Sequence, residues 1–268
     1  FAAMQLVEKK FLSLDDTIDR YLPEFKNIKK LNSLTSKLSD TSPVDNLPTI
    51  RQLLQHTAGF TYNSSDNNLA QEYEDKGLFH SPTSSLEEEV NKILELPLLY
   101  EPGSNWHYSI SIDILARIIE IVTKDKITNI LKENIFDPLE MNQTNFFINE
   151  SNQKNLVETF EYSFDKSKLT NLNFDKRKLI LYGYPTTNQN YSRGGHGLFS
   201  TAEDYAKFST MLLNGKNKNS KPLVNTETLE MMRNNSLTAD LFPLEITSIN
   251  TKKDIDYEND LIGYGWGM

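Results

Sequence analysis

Apolar residues recur at the spacing of a helix face in several stretches of the chain, and polar segments rich in Asn, Ser and Lys separate these stretches. The strongest pattern covers residues 111–122, where the apolar side chains form one stripe: Ile114, Leu115, Ile118, Ile119 and Val122. Further helices are predicted where caps or breakers frame an apolar pattern: residues 1–10, 16–21, 50–56, 86–96, 127–135, 202–213 and 226–233. Thr49 and Thr201 are predicted N-caps, and Gly59 and Gly215 are predicted ends.

The segments between these helices carry weaker patterns. Residues 27–48 and 61–85 show no sustained periodicity and are predicted to be loops. Residues 145–192, for example 179–182, favour short strands joined by loops, and residues 263–268 favour an aromatic strand. The chain starts on an uncapped helix pattern and stops on a strand pattern. We therefore expect an internal segment of a domain that is incomplete at both ends.

Composition and charge narrow the class of protein. The 268 residues are 38% hydrophobic and 24% charged, as in an ordinary globular protein, and they suffice for one large domain or two closely packed lobes. The formal net charge of −9 gives no general attraction to nucleic acid or to an anionic membrane. No apolar run approaches the roughly 18 residues that span a bilayer, so no transmembrane segment is expected in this chain.

The chain has no cysteine and only four histidines. The absence of cysteine excludes disulfides, thiolate zinc sites and cysteine nucleophiles. The four histidines form no His-x-x-x-His pair, which argues against a zinc hydrolase. No metal or cofactor is expected. The sequence also lacks the Gly-x-Ser-x-Gly elbow and the glycine-rich phosphate-binding loops.

Residues 101–110 read Glu-Pro-Gly-Ser-Asn-Trp-His-Tyr-Ser-Ile, and residues 113–120 continue as Asp-Ile-Leu-Ala-Arg-Ile-Ile-Glu. This segment resembles the second motif region of the β-lactamase-related serine hydrolases, which include class C β-lactamases, penicillin-binding proteins and esterases. Three further segments resemble the same family in the expected order: residues 2–16, 49–59 (Thr-Ile-Arg-Gln-Leu-Leu-Gln-His-Thr-Ala-Gly) and 194–213. By itself Tyr108 is one of 12 tyrosines, and packing is its ordinary role; the resemblance makes it the candidate catalytic tyrosine.

The resemblance implies an α+β fold, with an antiparallel sheet flanked by helices and an inserted, mostly helical lobe. Residues 16–145 would form the helical lobe, and residues 1–15 and 146–268 would belong to or border the α/β lobe. It also implies a mechanism, in which a serine of a Ser-x-x-Lys motif attacks a carbonyl to form an acyl-enzyme. Because a serine hydroxyl must lose its proton as it attacks, the tyrosine and the motif lysine would manage that proton.

Two departures from the family pattern matter. The Ser-x-x-Lys motif would lie a few residues before Phe1, and the third motif, a Lys-Thr-Gly or His/Trp-x-Gly strand, would follow Met268. This segment alone is therefore expected to be inactive. Ile110 stands where β-lactamases and penicillin-binding proteins usually carry an Asn that contacts the substrate amide. The substrate is expected to be a small-molecule ester, with β-lactam or peptidoglycan-type substrates as the less favoured classes.

The resemblance suggests further pocket residues beside Ile110. His196 falls where relatives place a pocket-lining residue, although a histidine between glycines is also typical of exposed surface. Tyr62 and Asn63 could border the pocket, with loop surface as the alternative. A non-catalytic binding or sensing module is the competing function, and it is favoured if the upstream serine or lysine is replaced. Relatives are commonly exported, so an extracytoplasmic location is expected.

Overall fold

The computed structural model describes residues 1–79, 81, 83–163, 168–172 and 192–241. Nine helices lie in these ranges: α1 Ala2–Glu8, α2 Ile50–Gln55, α3 Asn68–Asp75, α4 Leu86–Ile93, α5 Ser111–Thr123, α6 Ile127–Leu131, α7 Asp137–Leu139, α8 Ala202–Asn214 and α9 Thr226–Arg233. Short 3-10 helices cover Ile18–Arg20, Pro23–Asn27, Glu150–Asn155 and Ala239–Leu241. The predicted strands at 179–182 and 263–268 lie outside the described residues.

Two short antiparallel sheets accompany the helices in this part of the chain. Strand β1, Lys29–Leu31, pairs with β2, Thr41–Pro43, and β3, Thr159–Ser163, pairs with β4, Lys168–Leu172. The first pair lies inside a segment predicted to be a loop. Only its Leu31 is buried, which is too little apolar content for a strand pattern to be visible in the sequence.

Helix α5 is the centre of the hydrophobic core. Its apolar stripe, including Ile114, Ile118 and Ile119, is buried as predicted, and the helix packs against α1, α2, α4 and α6. Each fully buried Ile or Leu side chain stabilises the fold by roughly 1.5–3 kcal/mol relative to an exposed one. The stripe therefore fixes the position of α5, and with it the position of the loop that leads into the helix.

The predicted caps form at the N-termini of α2 and α8. The Thr49 hydroxyl accepts from the Gln52 N–H while the Gln52 side chain accepts from the Thr49 N–H, and the Thr201 side chain accepts from the Asp204 N–H. Gly215 ends α8 in the left-handed conformation, as predicted. The end predicted for α2 at Gly59 is wrong, because the left-handed residue that stops the helix is His56, with φ 59°.

Other predicted boundaries also change. Helix α3 lies within the predicted loop 61–85, capped by the Asn67 side chain. The predicted helix 127–135 is interrupted after α6, where a π-helical turn, Lys132–Phe136, leads into α7. The predicted helix 16–21 is a single 3-10 turn. No helix in the described ranges is both long and apolar enough to cross a bilayer.

Candidate active site

Tyr108 lies in the irregular segment just before α5, and its side chain remains 45% exposed. Its ring lies between two other rings, 4.8 Å from the ring of His56 and 5.3 Å from that of Tyr62, measured between centroids. Backbone hydrogen bonds hold the segment on both sides, from His107 to the His56 carbonyl and from Ile110 to the Thr61 carbonyl. The phenol is thus fixed by its neighbours while part of it stays accessible.

The histidine beside Tyr108 is neutral. His56 is almost fully buried, and its Nδ1 receives the backbone N–H of Ser109 at 3.2 Å, so that nitrogen carries no proton. Burial lowers the pKa of His56 to about 3, with a smaller contribution from His107. Burial also lowers the pKa of His107 to about 4, and its Nε2 lies 3.0 Å from the Thr61 hydroxyl. Neither histidine supplies positive charge to Tyr108 at neutral pH.

Tyr62 connects Tyr108 to the glycine-rich loop, residues 193–197. A β-carbon built on Gly195 would lie 2.6 Å from the Tyr62 hydroxyl and 2.9 Å from Oδ2 of Asp113. Oδ1 of the same carboxyl accepts the backbone N–H groups of Gly194 at 2.8 Å and Gly195 at 3.2 Å. Asp113 is fully buried, and burial raises its pKa. The carboxyl and the phenol therefore hold the loop from two sides.

His196 is exposed at this loop, and its ring meets that of Phe79 edge to face, 6.0 Å between centroids. Phe79 has a left-handed backbone with φ 61°, which is unusual for an aromatic residue and is stabilised here by Glu89, whose Oε2 accepts the Phe79 N–H at 2.7 Å. Buried Arg193 lies over the Phe79 ring, 5.6 Å from its centroid. The wall around His196 is thus built by buried charged groups.

Arg193 also fastens the chain that precedes α4. Its guanidinium donates to the carbonyls of Ser81 and Ser84 and to the Ser84 hydroxyl, at 2.9–3.1 Å. The Ser84 hydroxyl in turn donates to Glu89, which is fully buried. Charged side chains are seldom buried without partners, and here the buried charges are joined by hydrogen bonds. This network therefore holds the segment beside His196 in one conformation.

Two residues predicted to line the pocket lie elsewhere. Ile110 is fully buried in the core, so its side chain contributes no accessible surface to the site. Asn63 donates to Glu74 at 3.0 Å and borders a separate polar depression that extends to Gln71. Tyr62 and His196, in contrast, lie beside Tyr108 and beside the glycine-rich loop, respectively.

A cavity of about 370 Å³ lies beside the glycine-rich loop. Its walls are mainly apolar and come from the start of α1, including Phe1, from α5 and from residues 193–198. The N-terminal end of α1 and His196 thus border the same space. Among the described residues no group of His, Asp and Glu could hold a metal ion.

Sequence reasoning did not identify Asp113, Phe79 or Arg193 as parts of this site. In the sequence Asp113 appears only as a member of the segment that resembles the second motif region, with no role assigned to it. Its pairing with Gly194 and Gly195 joins positions about 80 residues apart, a contact that no local pattern reveals.

The chain resembles known proteins over most of its length. The family model described as Beta-lactamase matches residues 1–245. Protein Rv1367c of Mycobacterium tuberculosis is 28% identical over 239 residues, which cover 88% of this chain and 56% of that protein. Lovastatin esterase of Penicillium rubens is 29% identical over 222 residues, covering 79% and 51%. This chain spans about half the length of these curated relatives.

A solved structure shows the same architecture. EstCE1, described as a hydrolase with promiscuous acyltransferase activity, superposes with a TM-score of 0.67 and 25% identity. The match covers 87% of this chain and 59% of that chain. The predicted α+β fold is confirmed by this similarity.

Proposed function

Because this chain belongs to the β-lactamase family, we propose that it is the tyrosine-bearing part of a serine esterase that acts through an acyl-enzyme, with Tyr108 as the catalytic tyrosine. The observation that carries the proposal is the setting of Tyr108. Its ring is held between His56 and Tyr62, yet 45% of the side chain is exposed. The phenol is thus both fixed and accessible, as a group that transfers a proton to or from a substrate must be.

The charge around Tyr108 supports the assignment of a lysine partner. An ordinary tyrosine is a poor base near neutral pH, and nearby positive charge is what favours its phenolate. The neighbouring rings do not supply this charge, because burial keeps the pKa of His56 at about 3 and that of His107 at about 4. The lysine of a Ser-x-x-Lys motif would supply it.

The position of α1 supports the expected place of the nucleophile. A Ser-x-x-Lys motif shortly before Phe1 would continue α1 by about two turns, roughly 11 Å. The start of α1 lines the same cavity as His196 and Gly195, so this continuation would run alongside the glycine-rich loop. There the serine would attack the ester carbonyl, with Tyr108 taking its proton and returning it to the leaving alcohol.

An ester substrate is favoured over a β-lactam. The position that usually carries an amide-binding Asn is Ile110, and its side chain is buried in the core. The site therefore lacks, at this position, a donor for a substrate amide. Relatives described as a lovastatin esterase and as a hydrolase with promiscuous acyltransferase activity support the same class.

The test uses the full-length protein that contains this chain. We expect covalent labelling by a fluorophosphonate and hydrolysis of p-nitrophenyl esters. We expect Tyr108→Phe to lower kcat about 10²–10⁴-fold, the range of general acid–base contributions. Tyr205→Phe is the matched control, because Tyr205 is exposed on α8 and is expected to leave turnover unchanged.

Two results would contradict the proposal. Unchanged turnover in Tyr108→Phe would remove the tyrosine from the mechanism. Saturable ligand binding without labelling or turnover in the wild-type protein would instead indicate the non-catalytic binding module.

A further inference from the structure

Asp113 is fully buried in the first turn of α5. The helix dipole favours a carboxylate in the first turn, but it does not require that the carboxylate be buried. Asp113 occupies the third position of α5, and its Oδ1 accepts two consecutive backbone N–H groups, those of Gly194 and Gly195. Its Oδ2 is also buried and has no hydrogen-bond partner among the described residues. Burying a carboxyl costs free energy, so the burial of Asp113 indicates a specific structural role.

The loop lies so close to α5 that a side chain at position 194 would clash with the helix backbone, and one at position 195 would displace the Tyr62 hydroxyl. A β-carbon on Gly194 would lie 2.1 Å from the carbonyl oxygen of Ile112, and one on Gly195 would lie within 3 Å of both the Tyr62 hydroxyl and Asp113 Oδ2. The loop backbone therefore lies directly on the first turn of α5, between the carboxyl and the phenol. Any shift of this backbone would displace Tyr62 or His196.

We propose that Asp113 is a positioning residue of the active site, which fixes the Gly194-Gly195 backbone so that Tyr62 keeps its place beside Tyr108 and His196 keeps its place at the cavity. The inference rests on the proposed function. In this proposal Asp113 acts through its hydrogen bonds to the loop and not on the reacting atoms. Tyr62 transmits the constraint, because its hydroxyl abuts Gly195 while its ring packs on the ring of Tyr108.

Asp204 offers a matched control within the same chain. It too is a buried aspartate at the third position of a 13-residue helix, α8, and it too accepts a backbone N–H, that of Gln143 at 2.7 Å. Its other partners are the Thr144 hydroxyl and Lys207, and it makes no contact with the glycine-rich loop in the described residues. Loss of Asp204 thus reproduces the structural cost of losing a buried helix-start carboxyl without touching the site.

The experiment compares Asp113→Ala, Asp113→Asn and Asp204→Ala in the full-length protein, with p-nitrophenyl butyrate as substrate. A misplacement of about 1 Å can cost about 100-fold in rate, so we expect Asp113→Ala to lower kcat by about that factor, with a much smaller change in KM. Asn keeps an oxygen that accepts both N–H groups, and we expect it to restore most of the rate. We expect Asp204→Ala to keep the wild-type kcat.

Hydrogen exchange read by mass spectrometry provides a measure that does not depend on turnover. We expect Asp113→Ala to speed exchange in the peptide covering residues 192–198, and Asp204→Ala to speed it only near residues 141–145. If Asp113→Ala does not fold, Gly195→Ala tests the same contact from the loop side. Its methyl group would displace the Tyr62 hydroxyl, and we expect the same loss of kcat in a folded protein.

The proposal is overturned if Asp113→Ala keeps the wild-type kcat, if Asp204→Ala loses as much, or if exchange in residues 192–198 is unchanged. A wild-type protein that neither reacts with a fluorophosphonate nor hydrolyses esters would refute the proposed function instead. In that case hydrogen exchange alone tests the role of Asp113. Faster exchange of residues 192–198 in Asp113→Ala supports the proposal that Asp113 holds the loop, and unchanged exchange refutes it.

Discussion

Replacing His56 by Asn isolates the energetic effect of one buried histidine beside the candidate catalytic tyrosine. The backbone of His56 is left-handed, with φ 59°, and Asn is the side-chain-bearing residue that tolerates this conformation best. The Asn amide oxygen can also accept the Ser109 N–H that His56 Nδ1 receives at 3.2 Å. The substitution therefore removes the titrating group while keeping the helix end and the hydrogen bond.

The magnitude follows from the pKa difference between the two states. The pKa of His56 is about 6.5 when unfolded and about 3 when folded, because burial disfavours the charged ring. Between these values the unfolded state binds a proton that the folded state does not, so stability falls as the pH falls. Well below pH 6.5 each pH unit changes the free energy of unfolding by about 1.4 kcal/mol, which gives roughly 2–3 kcal/mol between pH 8 and pH 4.5.

Urea unfolding of the full-length protein at a series of pH values from about 8 to about 4.5 measures this effect. The wild-type protein is expected to lose roughly 2–3 kcal/mol more than His56→Asn over this range. His107, whose pKa burial lowers to about 4, remains in both proteins and contributes a common slope that cancels in the comparison. Parallel stability curves would refute the reasoning, because they would mean that His56 has the same proton affinity in both states.

Two further predictions concern buried residues near the site. Ile110→Asn places an amide in the core, and we expect it to reduce the free energy of unfolding by about 3–5 kcal/mol without creating turnover of a chromogenic cephalosporin. A stable variant that hydrolyses the cephalosporin would contradict the buried placement of Ile110. Arg193→Met removes the donor to the carbonyls of Ser81 and Ser84, and we expect the free energy of unfolding to fall by about 3 kcal/mol or more. Thermal unfolding measures this loss, and an unchanged melting temperature would contradict the importance of these hydrogen bonds.

The helices that the sequence predicts well are those in which a cap and an apolar stripe agree. Thr49, Thr201 and Gly215 mark their ends by local hydrogen bonds and backbone conformation, which depend on a few neighbouring residues. Helix α5 is predicted almost to the residue because its stripe is continuous. The division into two lobes stays a prediction.

Helix α3 shows where local patterns are too weak. Most of its residues are polar, and only Leu69, Ala70 and Tyr73 are buried, so the segment resembles a loop until its cap and its packing are seen. Ile110 shows a second difficulty. The motif aligns Ile110 with the position of the family's Asn. Whether a residue just before a helix faces the core or the site depends on tertiary packing, which the motif does not reveal.

Tyr108, the candidate catalytic tyrosine, is positioned by the core as well as by the two rings beside it. Helix α5 is held by its buried stripe, it holds the glycine-rich loop through Asp113, and Tyr108 lies at its N-terminal approach. Helix α1 packs on the same helix. In the proposed mechanism, a nucleophile on a continuation of α1 and Tyr108 would therefore both be positioned through α5. Both α1 and Tyr108 depend on α5 for their positions. A substitution that shifts α1 relative to α5 should therefore lower turnover, even when the substituted residue lies far from the substrate.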